Sequence, residues 1–150
     1  LTTLIPPFPS VVPIRQSTLT INTTGQGTVE ITGQVAKRVE QSGFSAGVVA
    51  VFCQHTSCSL VMMENADPSA RSDLENWLNR FVGEDDPNFE HTAEGPDDMP
   101  AHLRAALTQT QLSIPVEDGR MLLGTWQGIY LLEHRREPSE RDIVLHLVGE

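Results

Sequence analysis

The stretch Cys53–Pro68, C-Q-H-T-S-C-S-L-V-M-M-E-N-A-D-P, constrains this chain more than any other. Ahead of it runs Ala46–Phe52, apolar throughout, with three valines and no charge. Such a run predicts a strand buried on both faces. His55 arrives as that strand ends, and the chain turns through Thr56, Ser57 and Ser59. A second apolar strand, Leu60–Met63, then delivers Glu64. Asp67-Pro68 starts a helix, with a carboxylate at the N-cap and proline at the first helical position. A histidine, several hydroxyls and two carboxylates therefore gather where buried strands end. Polar groups placed there are costly unless they have partners or a chemical task.

Length and charge narrow the function classes. The chain has 150 residues, a length that fits one domain, and 39% of them are hydrophobic, enough for a core. Its formal charge is -10. Such a surface repels phosphate backbones, which argues against nucleic acid as a partner. No apolar run reaches the roughly 20 residues needed to span a bilayer, so no membrane role is expected. Prolines punctuate Leu1–Arg15, which reads as an extended arm and not a signal peptide, leaving 16–150 as the domain. Two cysteines in a chain of this length do not form a disulfide scaffold; free thiols and a cytoplasmic location are the expectation.

Local patterns supply the remaining elements. Ser17–Asn22 alternates with Leu19 and Ile21 on one side, a half-buried strand. Thr24–Gly27 is a turn, and Thr28–Ile31 begins a second strand. Thr32 is placed to cap a helix with Val35, Ala36 and Val39 on one face, stopped by Gly43. Pro68–Val82 is the clearest helix: Leu74, Trp77, Leu78 and Phe81 fall at i, i+3, i+4 and i+7, and Gly83 ends it. Glu84–Asp98 is an acidic loop. Asp98 is placed to cap a further helix, with Pro100 in its first turn and Leu103, Ala106 and Leu107 facing inward. Leu112, Ile114 and Val116 alternate in a strand, Asp118-Gly119 marks a hairpin turn, and Met121–Glu133 reads as one long returning strand. Arg135–Arg141 is a charged loop and Ile143–Val148 a closing strand. Strands and helices do not alternate regularly. The expected fold is α+β, one compact domain with a mainly antiparallel or mixed sheet and a few helices.

Three histidines carry the chemical interest. His91 and His102 bracket a loop rich in glycine, proline and aspartate, a layout that can fold two imidazoles toward one point, although the spacing matches no compact metal motif. Imidazole with carboxylate is a normal ligand set for zinc and similar ions. The competing reading has these histidines in solvent and His55 as a hydrogen-bonded strand end. Cys53, His55 and Cys58 also have a metal-like composition, but free cysteine is among the most buried residue types, and core packing is the better account of both thiols. Glu64 and Asp67 form a candidate acid–base pair; against this, Asp67 is fully explained as an N-cap. Gln127, beside Trp126 in a glycine-flanked strand, is a further candidate. His134 and His146 read as structural or surface residues.

The segments H-T-S-C-S-L-V-M-M-E-N-A-D-P, A-H-L-R-A-A-L, I-P-V-E-D-G-R and L-G-T-W-Q-G-I-Y-L-L-E, with the closing L-V-G-E, occur here in that order. Together they resemble the YjbQ family, also called the secondary thiamine-phosphate synthase family, over Gln16 to Glu150. Where many members carry Gly-Asn ahead of the Ala-His pair, this chain has Gly95-Pro96-Asp97-Asp98. If that Asn holds a ligand, Asp97 takes its place and favours a cation nearby. The resemblance implies a homotrimer with sites in clefts near subunit boundaries. It also implies a weak thiamine-phosphate synthase activity, joining hydroxymethylpyrimidine pyrophosphate to thiazole phosphate. The chain has no Gly-rich phosphate loop, which suggests a side activity.

The resulting expectation is a small metal-dependent enzyme. His55, His91, His102 and Asp97 would surround a divalent ion, zinc in the first instance, with Glu64 and His55 as acid–base groups. Thr56, Ser57, Asp67, Gln127 and Arg135 would hold a small anionic or phosphorylated ligand. The alternative is a non-catalytic trimeric module that binds a small anion or metal; a raised-pKa carboxylate near an open metal position would favour the enzyme.

Overall fold

A computed structural model describes residues 11–150. In chain order it contains β1 (Ile14–Asn22), β2 (Gly27–Glu30), α1 (Thr32–Ser42), β3 (Ala46–Cys53), β4 (Cys58–Glu64), α2 (Pro68–Phe81) and α3 (Asp98–Leu107). There follow β5 (Gln111–Glu117), β6 (Arg120–Met121), β7 (Gln127–Glu133) and β8 (Glu140–Gly149). The strands form a five-stranded sheet, β1-β8-β3-β5-β6, and a three-stranded sheet, β2-β7-β4. Every pairing is antiparallel. The α+β expectation holds. Val35 and Val39 of α1, Val49 and Val51 of β3, Leu60 of β4 and Leu131 of β7 belong to one buried cluster. No described helix is long and apolar enough to cross a membrane.

Turn and cap chemistry places several elements as expected. Gly43 closes α1 at φ 73°, a left-handed conformation that costs glycine little. Asp67 caps α2, accepting the Ser69 N–H at 2.9 Å. Asp118 and Gly119 both have positive φ in the β5–β6 turn. Leu112, Ile114 and Val116 are buried and their neighbours exposed.

Other expectations are corrected. Of the predicted arm, residues 1–10 lie outside the described residues. Ile14 and Arg15 are already strand, because β8 is long enough to pair with them. β3 is not buried on both faces: Val49, Val51 and Cys53 point inward, whereas Val48 and Phe52 are 38% and 41% exposed. An apolar run cannot reveal whether a second layer covers the sheet, and an antiparallel sheet often leaves one face open. Thr32 lies inside α1 and caps nothing; its Oγ1 accepts the Ile129 N–H at 2.8 Å. Ala36 is exposed. On α2, Leu78 is buried but Trp77 and Phe81 face outward, their rings stacked with centroids 5.0 Å apart.

The predicted strand Met121–Glu133 is broken. After β6 the chain makes a corner in which the Gly124 N–H donates to Gln127 Oε1 and the Gln127 N–H to the Gly124 carbonyl. β7 then joins the other sheet. Arg141 is not loop but strand, because β8 begins at Glu140. On α3 the buried face is Asp98, Ala101, Arg104 and Ala105, and Ala106 and Leu107 are exposed. The helix is rotated relative to its apolar pattern, and its two buried charges each reach one partner inside, although Arg104 Nε and Nη1 have none. Arg104 donates to the Val82 carbonyl at 2.6 Å, and Asp98 meets Arg135.

Candidate metal centre

The link between β3 and β4, residues 54–57, passes from one sheet to the other. The N-terminal turn of α3 packs against it. His102 Nδ1 lies 2.9 Å from the Thr56 carbonyl oxygen. A carbonyl only accepts, so Nδ1 carries the proton. In the neutral ring Nε2 therefore presents a lone pair. That lone pair faces Asp98 Oδ2 at 3.3 Å, and His91 Nε2 approaches the same oxygen at 2.8 Å. The Asp98 side chain is 1% exposed, and Oδ2 has no hydrogen-bond partner. A buried carboxylate oxygen facing an imidazole lone pair is repulsive unless a positive charge lies between them.

A metal ion fits this arrangement. The donor atoms of His91, Asp98 and His102 all lie within 4.8 Å of one another. Ligands 2.0–2.1 Å from a tetrahedral ion sit about 3.3 Å apart. Three such donors would leave a tetrahedral ion one open position. Second contacts orient two of the three candidate ligands: Thr56 holds His102, and Arg135 Nη1 binds Asp98 Oδ1.

His55, His91 and His102 line one cavity of about 720 Å³, with Thr56, Cys58, Met99, Ala105, Ala106 and Thr110. His55 does not offer its Nε2 to the donor group, because that atom accepts the Asp142 N–H at 2.8 Å. Its proton therefore sits on Nδ1. Burial, then the charge of Arg141, hold this imidazole below its ordinary pKa and keep it neutral.

Asp98, not Asp97, stands beside the imidazoles. Asp97, buried, turns away from the imidazoles: Oδ2 accepts Arg135 Nε at 3.1 Å and the Arg136 N–H at 2.9 Å. Burial alone would raise its pKa, but these donors outweigh it and hold the carboxyl below the usual range. Asp98, read from sequence as a helix cap, is the carboxylate beside the imidazoles. Its i, i+4 spacing from His102 was the available signal, since such residues share a helical face.

Arg135 also donates to the Glu94 carbonyl at 2.9 Å, so its guanidinium clamps the 94–98 loop. The Ser57 carbonyl accepts the His134 N–H. Glu64, Asp67 and Gln127 are elsewhere. β4 pairs Cys58 with Glu133 at one end and Glu64 with Gln127 at the other. Six strand steps separate those ends by about 20 Å. Glu64 accepts the Ala66 and Asp67 N–H groups, and Gln127 closes the Gly124 corner. Within one chain, His55 and Glu64 are therefore not an acid–base pair; eight intervening positions conceal a full strand length.

His134 and His146 are placed as expected. His134 is buried, with Nε2 2.8 Å from Ser59 Oγ, and burial with the charge of Arg104 pushes its pKa down to about 4. His146 pairs with Gln16 at the surface. Both cysteines are free and buried.

The UPF0047 protein YjbQ-like family model matches residues 17–150. A UPF0047 protein of Synechocystis is 44% identical over 136 residues, covering 91% of this chain and 92% of its own. The UPF0047 protein YjbQ of Escherichia coli O157:H7 is 40% identical, covering 90% and 98%. Among solved structures, a hypothetical protein of Aeropyrum pernix K1 superposes with a TM-score of 0.83 at 27% identity, covering 91% and 99%. A YbjQ-like protein of unknown function from Sulfolobus solfataricus P2 does so at 0.81 and 27%, covering 92% and 100%. Order of motifs, topology and nearly full-length similarity agree, and the chain belongs to the YjbQ-like UPF0047 family.

Proposed function

We propose that this protein is a small metal-dependent enzyme in which His91, Asp98 and His102 hold a divalent ion of the zinc type. The observation that carries the reading is Asp98 Oδ2, buried without a hydrogen bond between two imidazole nitrogens. The ion supplies a Lewis acid to an oxygen-bearing anionic ligand. His55, neutral and protonated on Nδ1, is the donor the cavity offers to such a ligand. Met99, Ala105 and Ala106 give the ligand's other side an apolar wall. Arg135 holds Asp98 in register. This suits a small phosphorylated or carboxylated compound with an apolar or aromatic body. Thiamine-phosphate synthase-type coupling is the specific reaction the resemblance supports.

A trimeric assembly belongs to the same reading: Val48, Phe52, Trp77 and Phe81 leave apolar surface for other copies to cover. Two free thiols suit a reducing, cytoplasmic setting. One observation favours a non-catalytic binding module instead. Among the described residues, the cavity wall includes no carboxylate to act as a base, since Glu64 lies at the far end of β4. Zinc titration of metal-free protein against a chromophoric chelator tests the proposal. One ion per chain, lost in Asp98→Asn and in His102→Ala, is expected; stoichiometric binding by Asp98→Asn would sink it.

A further inference from the structure

Two thiols face each other where the chain leaves one sheet for the other. Cys53 ends β3 and Cys58 opens β4. Each residue is 1% exposed, and their sulfurs stand 3.3 Å apart without a bond. Cys58 also lines the cavity that holds His55, His91 and His102. Cys53 Sγ also lies 3.5 Å from the Cys58 carbonyl oxygen, so the link holds both sulfurs against each other.

We propose that Cys53 and Cys58 are an oxidisable dithiol, converted to a disulfide by a small hydroperoxide entering the cavity, and that this modification weakens metal binding at His102. The second half rests on the metal reading above. In the first step a thiolate sulfur attacks one peroxide oxygen. The O–O bond breaks, an alcohol or water leaves, and the sulfur becomes a sulfenic acid. The other thiol's sulfur then displaces that hydroxyl as water, forming the S–S bond. The two sulfurs give up two electrons and the peroxide accepts them.

The geometry makes the product accessible. Bond formation brings the sulfurs together by about 1.3 Å. The residues between them, 54–57, belong to neither sheet, so the shift falls on this link. Thr56, in its middle, supplies the carbonyl that fixes His102 Nδ1. Moving it releases the ring from its orientation, and loss of such a second contact costs about tenfold or more in metal affinity.

The full chain, metal-free and reduced, would be treated with hydrogen peroxide, denatured, alkylated and mapped by peptide mass. A Cys53–Cys58 cross-link reversed by dithiothreitol is expected, with zinc affinity about tenfold lower in the cross-linked protein. Cys53→Ser and Cys58→Ser should each abolish the cross-link and keep the reduced-state zinc affinity after peroxide. Both thiols remaining alkylatable, or sulfinic acid in place of the cross-link, overturns the proposal; so does equal zinc affinity in the two states. The cross-link is read on wild-type protein and needs neither variant to fold. If the reduced chain binds no zinc, the metal reading fails, and the cross-link assay still decides whether the dithiol is oxidised.

Discussion

Asp98 and His102 stand one turn apart on α3, with Oδ2 3.3 Å from an Nε2 whose ring is anchored through Nδ1 to the Thr56 carbonyl. The anchor takes up the Nδ1 proton, so a neutral imidazole faces the carboxylate with a lone pair. One helix and one inter-sheet link thereby create a pair suited to a cation. His102→Gln should abolish stoichiometric zinc binding in chelator competition, whereas Asp97→Asn, outside the donor group, should weaken it only through Arg135. Equal losses in the two variants would contradict the assignment of Asp98 over Asp97.

His134 makes stability depend on pH. Its ordinary pKa is about 6.5 and its folded value about 4. Between these values the unfolded chain binds more protons, so stability rises with pH across that window and is lost as pH falls through it. The full effect is about 3 kcal/mol. Urea midpoints at pH 7, 5.5 and 4.5 should fall steadily in wild-type protein. His134→Gln should be less stable at pH 7 yet show a flatter slope; an unchanged slope would assign the effect to other groups.

Glu133 and Arg141 form a buried ion pair. Arg141 Nη2 reaches Glu133 Oε1 at 2.6 Å and Nε reaches Oε2 at 2.7 Å. Thr23 and the Arg135 N–H complete the carboxylate's contacts. Arg141→Ala leaves a buried charge without its partner and should cost about 3–5 kcal/mol. The double variant Glu133→Leu, Arg141→Met should recover much of that loss. Denaturant unfolding decides, and a single-variant cost below 1 kcal/mol would show that water reaches the site.

The outward Trp77–Phe81 stack predicts an assembly surface. Sedimentation equilibrium at micromolar concentration should give a trimer, and Trp77→Ser with Phe81→Ser should shift it toward monomer. A wild-type monomer would remove the trimer from the functional reading.

What the sequence determined by itself was local. Gly43, Asp67-Pro68 and Asp118-Gly119 act through their own backbone preferences, so they mark the same boundaries whatever surrounds them. The alternation of Leu112, Ile114 and Val116 likewise needs only a strand with one wet face. His91 and His102 were legible as partners because a short loop joins them. Tertiary structure decided the rest. It left Val48 and Phe52 uncovered, broke Met121–Glu133 between two sheets, and rolled α3 so that Asp98 faces inward and Leu107 outward. It also carried Glu64 a strand length from His55 and turned Asp97 toward Arg135. A side chain's neighbours across space depend on how whole elements pack, and packing is set by the summed burial of many residues, which no single motif contains.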